Sequence, residues 1–278
     1  MLYQVFEPPA ILAPFVQFFW ALEDDVASGA EFVHRSMADV GVEIVFHYRA
    51  KFDEITDAGT IETSPVASIQ AQSTKFRRFA TSESFGIFGA YLYPFAIPRF
   101  FCLPARDFTN LSPDLESVLG HAGRRLDQAI GEAESNERRV QIISDFLCGR
   151  LDSNSKELDG IHRAVHSIRE ANGSVNIARV AREYSLSTRQ FERRFKEFAG
   201  LTPKTFARVV RFQSATQHRL DGNRDLTDIA YSCGYYDQSH FINEFREFSG
   251  YTPKEYFWNV AEGTQYMDTE QMSHFSNY

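Results

Sequence analysis

Two stripes of hydrogen-bonding side chains recur in the C-terminal part of this 278-residue sequence. Each stripe is interleaved with phenylalanines at helical spacing, which places the aromatic rings and the polar groups on opposite faces of a predicted helix. Guanidinium, amide and carboxylate groups on such a face can form paired hydrogen bonds with the edges of nucleic-acid bases. The first stripe comprises Arg189, Glu192, Arg193 and Lys196, and the second comprises Gln238, Ser239, Ile242, Asn243 and Arg246.

An internal repeat supplies the helices that position the two stripes. At an offset of fifty residues, eight residues from Phe191 to Lys204 recur as Phe241 to Lys254, with the same residue type at each place. Upstream the offset is forty-nine, pairing Ala181 with Ala230. Self-similarity at a fixed offset indicates two copies of one helical unit. The repeated residues are Phe191, Phe195, Glu197, Phe198, Gly200, Thr202, Pro203 and Lys204, then Phe241, Phe245, Glu247, Phe248, Gly250, Thr252, Pro253 and Lys254.

Each copy is predicted to be a short helix, a turn and a second helix. Polar residues at the helix starts can accept hydrogen bonds from free backbone N–H groups, and glycine suits the position just past a helix end. Threonine followed by proline then begins the next helix. The predicted caps are Asn176, Ser187 with Gln190, Thr202, Asp225, Asp237 and Thr252, and the predicted ends are Gly200 and Gly250.

The two copies together resemble the DNA-binding domain of the AraC/XylS family. The resemblance rests on Ser-x-Arg-x-Phe-x-Arg-x-Phe-Lys at 187–196, Gly-Tyr-x-Asp-Gln-Ser-His-Phe at 234–241, and the Gly-x-Thr-Pro segments at 200–203 and 250–253. It implies seven helices, beginning with one near 157–172 and including a linker helix near 203–220. It also implies that the two recognition helices enter successive major grooves, roughly 34 Å apart. One departure is Ser185, which stands in the first turn where the family often has glycine.

The resemblance assigns roles to the side chains of both stripes. Arginine can read guanine, glutamine and asparagine can read adenine, glutamate can accept from cytosine, and an exposed isoleucine can touch the thymine methyl group. The base-reading residues are then Arg189, Glu192, Arg193, Gln238, Ser239, Ile242 and Asn243. Basic side chains around them are expected to position the protein on phosphates. The predicted phosphate contacts are Lys196, Lys204, Arg208, Arg211, Arg246 and Lys254.

The N-terminal half has a different pattern. Short apolar runs such as 42–48 and 85–93 predict strands over the first hundred residues. Helical spacing follows from Ser112-Pro113 to Gly131 and again from about Ser135 to Leu151. The fold class is therefore an α+β N-terminal domain, sheet-rich and followed by two helices, plus an all-α C-terminal domain with two helix-turn-helix units. The predicted domains are 1–151 for effector binding or dimerisation and 157–261 for DNA binding, with a polar linker between and an acidic tail at 262–278.

Aromatic density stands out in the N-terminal domain. Four of its large side chains are candidates for a small-molecule effector pocket, with an ordinary hydrophobic core as the alternative. These are Trp20, Phe46, Tyr91 and Tyr93. The order and spacing of the region also resemble the uncharacterised sensor-type domain that often precedes this DNA-binding module, with 41–46 as its most recognisable stretch.

Charge and composition limit the classes of function. The net charge of −8 is uneven: residues 1–156 carry 14 basic and 21 acidic side chains, 157–261 carry 15 and 13, and 262–278 carry 0 and 3. The segment with the two stripes is the only one with a positive balance. The three cysteines form no paired motif, which predicts neither disulfides nor zinc. The apolar patch at 11–20 is interrupted and too short to span a bilayer, so we expect a soluble cytoplasmic protein.

These observations predict a one-component transcription regulator that is not an enzyme and needs no cofactor. Its expected partners are double-stranded DNA, a small-molecule effector, a second copy of the chain and RNA polymerase, with no membrane. Two alternatives remain open. The N-terminal domain could serve only for dimerisation in a constitutive DNA binder, or it could be an enzyme fused to the DNA-binding module.

Overall fold

The N-terminal region is built from two antiparallel sheets. The computed structural model describes residues 1–153, 160–218 and 225–258. The strands are β1 Leu2–Phe6, β2 Val16–Asp24, β3 Phe32–Ser36, β4 Val42–His47, β5 Asp53–Ile55, β6 Ile61–Glu62, β7 Ala67–Gln70, β8 Arg77–Thr81 and β9 Phe85–Leu92. The five-stranded sheet has the order β1-β2-β9-β4-β7 and the four-stranded sheet has the order β3-β8-β5-β6.

The central strand β9 is apolar on both faces because both faces are covered. Successive side chains of a strand alternate between the two faces. Phe85, Ile87 and Tyr91 lie in a small cluster between the two sheets, whereas Phe88 and Ala90 lie in the main core on the opposite face. This explains the long hydrophobic run at 85–92 and confirms the predicted strand there.

Four helices cover the outer face of the larger sheet. They are α1 Ala96–Phe101, α2 Leu115–Leu119, α3 His121–Gly131 and α4 Asn136–Ser153. Leu126, Ile130, Ile143 and Leu147 are buried in the main core. The apolar stripes of α3 and α4 therefore pack on the sheet domain.

The prediction of one continuous helix after Ser112-Pro113 was wrong. The first helix begins at the cap Asp114, whose carboxylate accepts a hydrogen bond from the backbone N–H of Ser117 at 2.8 Å. It then stops at Gly120, where φ of 58° and ψ of −140° break the helical path before α3 starts. Glycine reaches such dihedral angles without a steric penalty, and the apolar spacing alone gave no sign of the break. Helix α1 was not predicted either.

Helices are the only regular secondary structure among the described residues of the C-terminal region. The helices are α5 Ile161–Glu170, α6 Ile177–Glu183, α7 Thr188–Ala199, α8 Pro203–Thr216, α9 Leu226–Ser232, α10 Gln238–Ser249 and α11 Pro253–Phe257. The seven-helix expectation and the α+β plus all-α fold class are confirmed. The predicted linker at 152–156 and the predicted tail at 262–278 both lie outside the residues whose side chains are described.

Helix α8 joins the two helix-turn-helix units, which are α6–α7 and α9–α10. Phe206 packs edge-on against Phe195 of α7 with ring centroids 5.3 Å apart. Phe212, nearly two turns further along α8, packs in the same way against Phe245 of α10 at 5.2 Å. All four rings belong to the core that also holds the outer face of the larger sheet, so one continuous apolar cluster spans both halves of the chain.

Candidate nucleic-acid interface

The first recognition helix, α7, has the ends that the sequence predicts. The Ser187 side chain accepts from the backbone N–H of Gln190, whose side chain in turn accepts from the backbone N–H of Ser187, forming a capping box. Phe191 and Phe195 are fully buried, which turns the opposite stripe outward. Arg189, Glu192, Arg193 and Lys196 are all exposed.

The second recognition helix, α10, follows the same plan. Asp237 caps it by accepting from the backbone N–H of His240 at 2.7 Å. Phe241, Phe245 and Phe248 are buried on the inner face. Among the predicted base-reading residues of this helix, Gln238, Ser239 and Asn243 are exposed and Ile242 is half-buried.

The candidate phosphate contacts differ in the exposure of their cationic groups and in the partners that these groups already have. The side chain of Arg208 is two-thirds buried and donates from Nε to Glu244 at 2.6 Å and from Nη2 to Glu247 at 2.8 Å. Arg211 is half-buried, with its guanidinium 5.3 Å from the centre of the Tyr235 ring. Lys196, Lys204, Arg246 and Lys254 are exposed. The guanidinium groups of Arg208 and Arg211, both on α8, thus contact residues of the second unit, and all six phosphate contacts stay predictions.

Glu244 is a charged residue that sequence reasoning missed. It is 2% exposed, and its carboxylate faces Arg208 and lies 3.7 Å from Nε2 of His240. Burial by itself would lower the pKa of Arg208, but the hydrogen bonds and negative charges of Glu244 and Glu247 raise it. The pKa of Tyr235 is raised mainly by burial and, to a smaller extent, by the negative charge of the neighbouring Glu244. The sequence holds one indication that Glu244 is buried: it falls on the phenylalanine face of α10, where a solvated carboxylate is not expected.

Two exposed tyrosines of the second unit were also missed. The Tyr231 side chain, on α9, is 61% exposed, and that of Tyr236, in the turn immediately before the α10 cap, is 85% exposed. Large aromatic groups in contact with water are candidates for contact with another molecule, and tyrosine hydroxyls donate to phosphates in protein–DNA interfaces. Their position next to the exposed start of α10 extends the candidate interface beyond the helix itself.

The four candidate effector-pocket residues separate into two places. Trp20 and Tyr91 lie between the two sheets. Phe46 and Tyr93 belong to the opposite side of the larger sheet, where Tyr93 lies 4.7 Å from the His166 ring of α5. The structure therefore brings only Trp20 and Tyr91 together, because Phe46 lies on the opposite face of the larger sheet and Tyr93 lies past the end of β9, where it packs against α5.

Ionisable groups accompany Trp20 and Tyr91. Burial, together with the negative charge of Asp39, raises the pKa of Glu43 to about 8, while a hydrogen bond from Trp20 acts in the opposite direction. Burial lowers the pKa of His34 to about 4. The Tyr91 hydroxyl donates to Asp39 Oδ1 at 2.6 Å, and the same oxygen accepts from Gln213 Nε2 of α8 at 3.0 Å. A hydrogen-bonded path thus leads from the space between the sheets to the helix that joins the two units.

The described residues contain no group of His, Cys, Asp and Glu side chains arranged to hold a metal ion. The three cysteines are free, with Cys102 exposed and Cys233 buried. Within the same part of the chain, no helix is both long enough and apolar enough to cross a bilayer.

Comparisons with known proteins match the N-terminal and C-terminal regions to two different family models. Residues 180–258 match a family model described as a helix-turn-helix domain, and residues 4–114 match one described as a domain of unknown function, DUF6597. The HTH-type transcriptional activator RhaS of Pectobacterium atrosepticum is 26% identical over 151 residues, 54% of this chain and 54% of the relative. RhaS of Escherichia coli strain SE11 is 36% identical over 81 residues, 29% of each chain. The chain thus spans about half the length, or less, of these curated relatives.

Solved structures are similar at low identity. Wild-type ToxT from Vibrio cholerae with a bound unsaturated fatty acid is 14% identical with a TM-score of 0.45, covering 86% of this chain and 95% of that one. The C-terminal domain of AraT, a response regulator from Geobacillus stearothermophilus, is 22% identical with a TM-score of 0.35, covering 41% of this chain and 97% of that one.

Proposed function

We propose that the C-terminal half of this chain is a helix-turn-helix domain of the AraC/XylS type, and that the protein is a transcription regulator that reads two successive major grooves of duplex DNA with α7 and α10. Residues 157–261 would form the DNA-binding domain and residues 1–151 the domain that controls it. RNA polymerase and a second copy of the chain are the protein partners that this role calls for.

One observation carries the proposal. Both recognition helices bury a row of phenylalanines against the domain and expose hydrogen-bonding residues at repeat-equivalent positions, as Arg193 and Asn243 do. A helix that is pinned inward by aromatic side chains and polar on its outer face fits the major groove, where base edges present their donors and acceptors. Exposed Lys196, Lys204, Arg246 and Lys254 supply positive charge for the phosphates beside that face.

The proposal is tested with the full-length protein and a library of randomised duplexes. Bound duplexes are selected through several rounds, and the affinity for the selected and a scrambled duplex is then measured by fluorescence anisotropy at several salt concentrations. We expect a selected sequence with two separated conserved segments and an affinity that falls steeply with salt, because binding releases counterions. Absence of any salt-dependent binding at low ionic strength would contradict the proposal.

We further propose that a small molecule bound between the two sheets controls DNA binding. Trp20 and Tyr91 supply aromatic surface there, and Glu43 supplies an ionisable group whose pKa is raised by burial. The hydrogen bonds from Tyr91 to Asp39 and from Gln213 to Asp39 provide a physical connection from this space to α8. A control domain that only dimerises needs no such connection.

Effector control is tested by screening metabolites for a shift in the melting temperature of the full-length protein, then measuring DNA affinity with and without each hit. Tyr91→Phe keeps the ring and removes the hydroxyl that meets Asp39, so we expect the effector to bind but to alter DNA affinity less than in the wild type. Tyr48→Phe is the matched control, since the Tyr48 hydroxyl donates to Glu23 instead, at 2.6 Å.

A hit that is chemically converted on incubation would favour the enzyme alternative. A screen without hits would favour the dimerising domain.

A further inference from the structure

The two recognition helices end at repeat-equivalent glycines that both face the N-terminal domain. Gly200 and Gly250 have φ angles of 80° and 73°, which close their helices in the left-handed region. A Cβ atom added at Gly200 would overlap the side-chain oxygen of Gln72, and one added at Gly250 would lie 2.7 Å from the Phe76 ring. The N-terminal domain therefore approaches both helix ends as closely as glycine allows.

Hydrogen bonds from the N-terminal domain also reach both helix ends. The Thr109 hydroxyl donates to the Gly200 carbonyl at 2.9 Å. The Ala38 backbone N–H donates to the Phe248 carbonyl, also at 2.9 Å. Carbonyls in the last turn of a helix have no partner within the helix, so these bonds satisfy groups that would otherwise need water.

The second end has an additional contact of a different kind. The Arg35 guanidinium lies over the Tyr251 ring at 3.9 Å from its centre and 5.1 Å from the centre of the Phe76 ring. At the first end, Arg106 forms a more exposed ion pair with Glu197 of α7 at 3.6 Å. Both recognition helices are thus held at their C-terminal ends by side chains of the N-terminal domain, and α10 is also held by the backbone N–H of Ala38.

The groups that hold the two ends belong to loops that are bonded to one another. Asp39 and Ser73 exchange two backbone hydrogen bonds, at 3.0 and 2.8 Å, which join the β3–β4 loop to the β7–β8 loop. The backbone N–H of Asn110 donates to the Gln72 carbonyl, and its side-chain oxygen accepts from the backbone N–H of Thr74, both at 2.8 Å. We call these three joined segments, residues 35–41, 71–76 and 105–111, the docking platform.

We propose that the docking platform sets the placement of the two recognition helices relative to each other, and with it the spacing between the two DNA segments that the protein binds. The spacing part of the inference rests on the proposed DNA-binding function. Helix α8 holds the first unit through the contact of Phe206 with Phe195, and the second unit through Phe212 and the ion pairs of Arg208. Contacts to this one helix alone would still allow a unit to rotate about it. A second attachment at the far end of each recognition helix, made to a single platform, removes this freedom.

A buried amide in the docking platform favours a contact with α7 that can be broken and formed again. Gln72 is fully buried against Gly200, and neither its side-chain nitrogen nor its side-chain oxygen has a hydrogen-bond partner among the described residues. Leaving both groups unpaired in the docked state costs free energy that water would restore on separation. Asp39 of the same platform accepts from Tyr91 and Gln213, so the docking contact lies on the path from the proposed effector site to α8.

The placement of the helices is tested first without DNA, by electron–electron double resonance on the full-length protein. Spin labels are attached at Lys196→Cys and Arg246→Cys, which are repeat-equivalent and exposed, in a background where Cys102 and Cys148 are replaced by serine. Phe76→Ala and Thr109→Val each remove one platform contact, one at each unit. Lys75→Ala is the matched control, because Lys75 belongs to the same loop but is exposed.

We expect one narrow distance distribution in the wild type and in Lys75→Ala, and a broadened distribution in Phe76→Ala and Thr109→Val. Melting temperatures check that each variant is folded, and Thr109→Val still decides the question if Phe76→Ala does not fold. Distributions as narrow as the wild type in the folded variants would overturn the proposal, since α8 alone would then hold the helices in place.

Spacing selectivity is measured next, with the selected duplex and a series that has one or two base pairs inserted or removed between the two conserved segments. The wild type and Lys75→Ala should prefer one spacing. In Thr109→Val this preference should fall roughly fivefold, the factor expected for loss of one ordinary hydrogen bond. An unchanged preference would overturn the inference. Failure of every protein to bind any duplex would instead overturn the proposed function, whereas the distance measurement would still report on the platform.

Discussion

The two helix-turn-helix units have the same buried faces and different exposed ones. At an offset of fifty residues, Phe191 and Phe195 correspond to Phe241 and Phe245, and all four are buried. On the outer faces, the pairs Arg189 and Ser239, Glu192 and Ile242, and Arg193 and Asn243 each differ in charge or polarity. The repeat therefore retains the packing that holds a recognition helix in place, while the side chains available to a partner have diverged. The first unit presents charged groups and the second presents mostly neutral ones.

The units also differ inside. The exposed Arg194 of α7 corresponds to the buried Glu244 of α10, which pairs with Arg208. In the turns, Ser185 corresponds to Gly234, and both have a positive φ, of 56° and 77°. The buried carboxylate of the second unit is thus paired with Arg208 of α8, and the turn of the second unit has glycine where the first unit has a serine with a positive φ.

The largest expected effect concerns the buried charge. Glu244→Ala should lower the free energy of unfolding by ~3 kcal/mol, the lower end for breaking a buried ion pair, because Arg208 keeps Glu247 as a partner. Arg194→Ala, at the equivalent exposed position, should change it by less than about 0.5 kcal/mol. Urea denaturation followed by circular dichroism measures both. Equal effects at the two positions would mean that the interiors of the units do not differ as described.

The next effect concerns base reading. Arg193→Ala should weaken binding to the selected duplex by ~1–3 kcal/mol and relax the preference at one base pair, as expected for loss of a bidentate contact. Asn243→Ala should relax a base pair in the other conserved segment. Anisotropy titrations against the selected and scrambled duplexes give both numbers. If Arg193→Ala weakened binding to the two duplexes equally, α7 would not be reading bases, and the phosphate assignments around it would also need revision.

Exchanging the turn residues should shift stability in opposite directions. Ser185→Gly should raise the free energy of unfolding by about 1 kcal/mol, because a left-handed conformation costs a residue with a Cβ roughly that much. Gly234→Ser should lower it by a similar amount, since a Cβ there meets no atom closer than 3.5 Å and the backbone cost remains. Melting temperatures of the two variants test this prediction, which requires an increase for Ser185→Gly and a decrease for Gly234→Ser. A stabilising Gly234→Ser would show that turn strain does not distinguish the units.

The smallest effect tests whether the units contact the DNA backbone alike. Lys204 and Lys254 are repeat-equivalent and exposed, each following the proline that begins a helix. Replacement of either by alanine should reduce the slope of log affinity against log salt by about one unit and weaken all duplexes similarly. Lys75→Ala, on the N-terminal domain, should leave the slope unchanged. A reduced slope for only one of the two lysines would place one unit away from the phosphates.

Local chemistry made much of the C-terminal fold predictable. The caps Asn176, Ser187 and Asp237 were expected from their residue types, and each accepts a hydrogen bond from a backbone N–H within three residues. The left-handed residue at position 185 could be expected because glycine stands at the equivalent position of the second unit. The base-reading assignments stay predictions, although the exposure of Arg193 and Asn243 is what they require.

By itself, the sequence determined the features that depend on neighbours three or four residues away: the caps, the apolar faces of the helices and the repeat. Only the tertiary structure decided the pairing of Arg208 with Glu244, the separation of Trp20 and Tyr91 from Phe46 and Tyr93, and the docking of Gly200 against Gln72. The physical reason is distance along the chain. A cap is set by the hydrogen-bonding capacity of one side chain beside its own helix, whereas each of these contacts joins segments that reach each other only after the sheets and helices have packed.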